Sequence, residues 1–392
     1  MFAPHFAAIT DRLSQGDSDV WAVHDRALEM EREGTDVILL SVGDPDFRTP
    51  DPIIDNAVSY LRVGRTHYSP ALGELKLRRA VADLESATSP HRCSVDEVAI
   101  FPGATAAIFA VLSCLLDEGD EIVIPEPMYV GYTPIMAALG ATVKNVPLDG
   151  RRGFALDMEQ MKAAVSERTR VVFINTPGNP TGSIIPARDI RELASFCRER
   201  GIWLLCDEVY SMFCYEGKHV SARASVEHLD NVVMVDGLSK SHAMSGWRMG
   251  WVVAPPKLVQ HLGRFAGATL FGSPQFIQDA SAFALENDQA YVERMRDEYR
   301  ERRDFVLERL NAVESIHCTR PHAGMFIMCD VSDTGMDGRE FAQRLLAEQA
   351  VSVIPGDAFG PSAHTFVRLG LAQSRPVLKR ACDRIAAFCA AS

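Results

Sequence analysis

The feature that most constrains the fold is a repeated alternation in the middle of the chain. Short apolar runs lie at Glu97–Phe101, Glu121–Pro125, Thr142–Val146, Val171–Asn175, Trp203–Asp207, Val232–Asp236 and Trp247–Ala254. Longer stretches with helical spacing, such as Ala104–Leu116 and Ala187–Arg200, separate most of them. Strands that alternate with helices predict βαβ units and a largely parallel sheet. The runs are apolar nearly throughout rather than at every second residue, as a sheet covered on both faces requires. The expected fold class is therefore α/β, with a three-layer large domain around a mostly parallel seven-stranded sheet. After Phe271 the pattern changes to a charged helix from about Asp288 to Leu310. A strand–helix–strand–helix segment follows, at Gly324–Val331, Gly338–Glu348, Phe366–Gly370 and Pro376–Cys389. Joined by the N-terminal residues, this segment reads as a smaller α+β domain made from both chain ends. The expected division is 46–287 for the large domain, and 1–45 with 288–392 for the small one.

Composition narrows the function classes. A chain of 392 residues that is 47% hydrophobic can bury a sizeable core, and disorder is not expected. Its net charge of −12 offers no basic excess to displace counterions from nucleic-acid phosphates, nor to hold an anionic membrane surface. No run of about 18 apolar residues suggests a membrane span. The opening MFAPHFAAITDRL lacks the basic start of a secretory signal. Nine cysteines, odd in number and without a C-x-x-C pair, read as buried free thiols of a reducing compartment. A cytoplasmic globular enzyme without a metal centre is the expectation.

In a doubly wound sheet, ligands bind at the carboxyl ends of the strands. The residues that follow each apolar run are PGAT, PEPMY, NTPGNPTG, CDEVY and DGLSK. Five strand ends thus deliver a Thr at a helix start, a Tyr, an Asn, an Asp with a Tyr, and a Lys. Only seven of the 40 basic side chains are lysines, and Lys240 alone directly follows a buried run. A lysine there loses solvent, drops its pKa and becomes a nucleophile toward a carbonyl. Asp207 ends WLLCD, so its carboxylate is partly buried and needs a partner, either a ligand cation or structural donors. Gly103-Ala104-Thr105 opens a helix whose free amides and dipole suit a phosphate, although an ordinary N-cap has the same sequence. NPTG at Asn179–Gly182 is turn chemistry that also offers an amide side chain. Arg248 and Arg368 flank apolar runs, where an arginine is costly unless it meets an anion.

Together these blocks resemble the class I/II, aspartate aminotransferase-like family of fold-type I pyridoxal-phosphate enzymes. The likeness runs from SVGDPDFRTP (41–50) and HYSPALGELKLRRA (67–80) to SKSHAMSGWRMGW (239–251) and RLGL (368–371). The lysine followed eight residues later by an arginine is its most specific part. By this resemblance Lys240 would link to pyridoxal 5'-phosphate and carry the substrate proton. Asp207 would keep the ring nitrogen protonated, Tyr210 and Asn179 would bind the ring oxygen, and Tyr129 would stack on the ring. Gly103, Ala104, Thr105, Ser239 and Arg248 would hold the phosphate, with Tyr68 supplied by the other subunit of a homodimer. Arg368 would bind the substrate carboxylate, with Asn179 and the backbone near Gly43 closing the site. Family members often carry hydroxyl residues where this chain has Gly103 and Gly237, which removes two phosphate donors.

Further blocks, among them EPMYV and AFGPSA, resemble the bacterial arginine–pyruvate transaminases of the family. That implies a basic or neutral amino donor and pyruvate as acceptor. Asp17, Asp19, Asp44 and Asp46 are candidates to meet a guanidinium, or else to cap turns. A C–S β-lyase and an aspartate/aromatic-type transaminase share the motifs. A catalytically inert regulatory module lacks support, because Lys240 is intact and no basic helix-turn-helix precedes SVGDPDF. A nicotinamide enzyme lacks the strand–G-x-G-x-x-G–helix unit.

Overall fold

Seven strands build the central sheet: β1 (Val98–Phe101), β2 (Glu121–Glu126), β3 (Thr142–Pro147), β4 (Thr169–Asn175), β5 (Trp203–Asp207), β6 (Val232–Gly237) and β7 (Gly250–Val253). The computed structural model describes residues 5–14, 20–217, 219–287 and 289–391. The strand order is β1-β7-β6-β5-β4-β2-β3, and only β7 runs antiparallel to its neighbours. The α/β class and the mostly parallel sheet are as the alternation predicts.

The continuous apolar runs follow from the layering. Val171 and Phe173 of β4 point into the cluster under the helix Ala104–Leu115, while Val172 and Ile174 point into the cluster under Ala187–Glu199. Both faces are therefore dry, and every second residue has no polar alternative. Ala104–Leu115 (ATAAIFAVLSCL) buries Ala107, Ile108, Ala110, Val111 and Leu112 and carries almost no polar face.

One expected strand starts late. The run expected from Trp247 pairs only from Gly250, because Ser245–Trp247 forms a 3₁₀ turn and Arg248 adopts φ 54°. That left-handed residue cannot continue a strand, and it turns the Arg248 side chain toward the start of Ala104–Leu115.

Beyond the sheet, β8 (His317–Thr319), β9 (Phe326–Asp330), β10 (Ile354–Pro355) and β11 (Phe366–Gly370) form an antiparallel sheet in the order β10-β11-β9-β8. Val23, Ala27, Ile38 and Leu40 share one apolar cluster with Phe341, Leu345, Val367, Leu369 and Ile385. Ile38–Leu39 pairs in parallel with Val351–Ser352, so the N-terminal segment packs on the C-terminal one. The charged helix spans Gln289–Leu310, and Asp288 lies outside the described residues. Two further helices, Pro256–Thr269 and Gln275–Asn287, fill the stretch before it. All nine cysteines are free thiols, six of them buried. Among the described residues no helix is long and apolar enough to cross a membrane.

Candidate active site

The strand ends converge on one cleft of about 260 Å³. Its walls include Gly43, Ala104, Thr105, Tyr129, Asn179, Asp207, Tyr210, Ser239, Lys240, Arg248 and Arg368. Of the residues singled out in the sequence, Gly103 lies just behind this wall and Tyr68 lies away from it.

Lys240 sits on the one-turn helix Leu238–Ser241 that follows β6. Its Nζ donates to the Gly43 carbonyl at 2.6 Å. Burial lowers its pKa to about 8, with Asp44 opposing the shift and Arg368 and Arg248 adding to it. Burial has this sign because a lysine loses solvent in its charged form.

Asp207 is buried at the end of β5, and burial raises its pKa to about 6. The Tyr132 hydroxyl donates to Oδ2 at 2.6 Å and the Val209 amide to Oδ1 at 3.1 Å. Both donors are neutral, so the carboxylate faces the cleft with no cation among its hydrogen-bond partners. Tyr132 escaped the sequence reading. Its only signal was its place three residues after Tyr129 in MYVGY, at the start of the helix Tyr132–Ala138.

Asn179 links both sides of the cleft. Its Nδ2 donates to the Tyr210 hydroxyl at 3.4 Å, and its Oδ1 accepts from Arg368 Nη1 at 3.0 Å. Asn175 anchors it by accepting the Asn179 amide at 2.8 Å while donating to the Asp207 carbonyl at 3.0 Å. Burial pushes the Tyr210 hydroxyl well above its ordinary range.

Arg368 lies mid-strand in β11 and is 3% exposed. Among the described residues no acidic side chain pairs with it. Its other donor contact is from Nη2 to the Ser41 carbonyl at 2.9 Å, and Nε has no partner. The guanidinium lies between the rings of Phe326 and Phe359, with centroids at 4.2 and 4.8 Å. Burial lowers its pKa to about 10. The two stacked phenylalanines were invisible in the sequence because 33 residues separate them.

At the opposite end, Gly103 caps Ala104–Leu115 with φ 89°. A Cβ on Gly103 would stand 2.5 Å from Arg248 Nη2, so the guanidinium rests directly over this helix start. A Cβ on Gly237 would stand 2.7 Å from the Met249 carbonyl and 3.1 Å from Gly250 Cα. Close backbone approach therefore leaves no space for a hydroxyl side chain at Gly237, while at Gly103 the Arg248 guanidinium occupies that space and φ 89° disfavours any side chain.

Tyr68 is 81% exposed and packs edge-on against Phe271, itself 60% exposed. This chain does not bring Tyr68 to its own cleft. Among the four acidic candidates, Asp46 is taken by Arg302 at 2.8 Å and by the Tyr299 hydroxyl at 3.1 Å. It is therefore structural and meets the chain's own guanidinium. Asp44 acts on Lys240 through its charge, and Asp17 and Asp19 lie outside the described residues. Val20 and Trp21 reach the cleft from the N-terminal segment, which the sequence reading did not foresee.

Comparison with known proteins identifies the family. The model of the family "Aminotransferase class I and II" matches residues 35–385. The chain is 42% identical over 386 residues to arginine–pyruvate transaminase AruH of Pseudomonas aeruginosa, covering 98% of both proteins. It is 35% identical to an aspartate aminotransferase of Pyrococcus abyssi over 383 residues, 96% of this chain and 97% of that one. A solved Thermus thermophilus aspartate aminotransferase, a single mutant, superposes with a TM-score of 0.93 at 31% identity, covering 98% of this chain and all of the other. A family match across nine-tenths of the chain, carried by a fold this close, places it plainly: the chain belongs to the class I and II aminotransferases.

Proposed function

We propose that the protein uses pyridoxal phosphate to move the α-amino group of arginine, or another basic or neutral amino acid, to pyruvate or a similar 2-oxo acid by a ping-pong mechanism. Three observations support the cofactor. A buried carboxylate, Asp207, faces the cleft with neutral donors only, which suits a protonated ring nitrogen. A helix start lies beneath an arginine at Gly103, which suits a phosphate. A buried lysine with lowered pKa lines the same cleft.

Bound pyridoxal phosphate supplies an electron sink for the pair left when an amino acid loses its Cα proton. The chain's own residues do the rest. Asp207 holds the proton on the ring nitrogen, and Tyr132 fixes the carboxylate for that task. Tyr210 and Asn179 would hold the ring oxygen, and Tyr129 would pack on the ring. Ala104, Thr105, Ser239 and Arg248 hold the phosphate. Lys240 Nζ, neutral above about pH 8, would accept the proton from the substrate Cα. The Ser41–Gly43 segment touches both Arg368 and Lys240 through its carbonyls, so carboxylate and proton carrier share one support.

The observation that carries the reading is Arg368, a buried cation with an unpartnered Nε and no acidic partner among the described residues. Such a charge is costly unless a ligand anion completes it. The pyruvate specificity rests on likeness to the Pseudomonas enzyme. A panel of amino donors against pyruvate and 2-oxoglutarate tests it. Arginine with pyruvate should give the highest kcat/KM, and Arg368→Ala should lower it by about 2–5 kcal/mol for every donor. Undiminished turnover in Arg368→Ala would overturn the carboxylate role. Pyruvate released from cystathionine without an acceptor would favour β-elimination, and preference for aspartate with 2-oxoglutarate would favour the aspartate-type reading.

The same reading includes a homodimer, supported by the exposed Tyr68–Phe271 pair, in which Tyr68 completes the partner's phosphate site. It includes a cytoplasmic location, supported by the free thiols. It also includes the division into 46–287 and 1–45 with 288–392, supported by an apolar cluster drawn mainly from the two chain ends, which Tyr210, Phe213 and Tyr215 join from the large domain.

A further inference from the structure

Two of the nine cysteines stand directly opposite each other. Strands β8 and β9 are antiparallel, and Cys318 is paired with Cys329. The Cys318 amide donates to Asn311 Oδ1 at 2.9 Å, on the side away from β9. A strand residue points its N–H and C=O to the same side, so this is a non-hydrogen-bonded pair, the kind whose side chains stand closest. Such pairs hold their Cα atoms about 4.5 Å apart, inside the roughly 4.4–6.8 Å that a disulfide spans. The Cys318 thiol is near enough to act on that of Cys329. Cys318 is half-buried on the edge strand of its sheet, whereas Cys329 is buried on the inner strand. A third thiol, Cys382 on the C-terminal helix, is near enough to act on Cys329 through its charge.

We propose that Cys318 and Cys329 form a peroxide-sensitive modification site that closes to a reversible intrachain disulfide. Exposure sets the order of events. Burial pushes the Cys329 thiol up, so it stays protonated, and half-exposed Cys318 meets the oxidant first. The Cys318 thiolate attacks one oxygen of hydrogen peroxide, breaking the O–O bond, and the other oxygen leaves as hydroxide and takes up the thiol proton as water. The Cys329 sulfur then displaces the hydroxyl from the Cys318 sulfenic acid, its own proton leaving with that hydroxyl as a second water. Two thiols and one peroxide give one disulfide and two waters, with two electrons passing from sulfur to oxygen. A small dithiol reverses the reaction. The closed loop contains Phe326, the ring beneath Arg368, so the staple lies one strand away from the substrate-carboxylate site. The site does not depend on the aminotransferase reading.

The test uses the full chain with its cofactor. Protein is treated with hydrogen peroxide, alkylated with iodoacetamide and mapped by peptide mass spectrometry. The expected result is joint loss of alkylation at Cys318 and Cys329, with a linked peptide two hydrogens lighter that dithiothreitol abolishes. Cys382→Ser should keep the link, while Cys329→Ser should leave Cys318 as a sulfenic acid that dimedone traps. Three results would overturn the proposal: full alkylation of both thiols after peroxide, a Cys318–Cys382 link instead, or over-oxidation of Cys318 alone in the unmodified sequence. The wild-type map decides the question even if a variant does not fold.

Discussion

At the scale of single residues, the site is a set of groups held away from the charge states they would have in water. Lys240 shows it best. Burial disfavours its ammonium form and brings the pKa to about 8. Below that value the side chain is mainly cationic and unreactive, and above it the amine is free. The cofactor-free protein should therefore take up pyridoxal phosphate about tenfold faster at pH 9 than at pH 7, with a plateau beyond. Stopped-flow absorbance against pH reads this directly, and a rate still climbing toward pH 10 would show an ordinary lysine. Lys240 was legible in the sequence because lysine is scarce and this one follows an apolar run. Asp207 and Arg368 were legible as charges in costly places, but not their neighbours. The phenol of Tyr132 looks like any core aromatic until folding brings it 2.6 Å from a carboxylate 75 residues away. Asp46 looked free to meet a ligand only because Arg302 lies 256 residues along the chain.

At the scale of elements, the apolar runs located all seven strands, because inner strands dry on both faces leave a signal that turns cannot imitate; only the edge strand Thr142–Pro147 is largely half-buried or exposed. The start of β7 was misjudged, since the left-handed turn at Arg248 has no marker in a residue with a side chain. That turn works with a pair of facing glycines, Gly237 and Gly250, which lets β7 lie against the start of Ala104–Leu115. A Cβ on Gly250 would stand 2.6 Å from the Ala104 amide nitrogen and 2.7 Å from the Gly103 carbonyl carbon. Neither is a flexible side-chain end, so the helix start must move. Gly250→Ala should cost roughly 1–3 kcal/mol in urea unfolding and weaken cofactor binding in parallel. A variant with unchanged stability and affinity would mean that this contact does not set the helix position.

At the scale of the whole molecule, the net charge of −12 argues against nucleic-acid and anionic-membrane partners and explains little else. The informative surface is small, apolar and centred on Tyr68 and Phe271. If Tyr68 reaches the phosphate of a second copy, Tyr68→Phe should leave the dimer intact in size-exclusion chromatography. It should also raise the cofactor dissociation constant roughly tenfold, the loss of one charge-assisted hydrogen bond. An unchanged dissociation constant, or monomers in the wild type, would contradict the shared site.

The N-terminal segment has a consequence for how the protein is made. Ile38 has its strand partner at Val351, and Ser41 has its arginine at 368. Domains generally fold as they emerge, N-terminal residues first. A ribosome that has made 300 residues has therefore made every group proposed to hold the ring and the phosphate, and none of the arginine proposed to hold the substrate. Residues 22–40 wait unpaired through most of synthesis, and the last stretch of chain completes their strand and supplies that arginine.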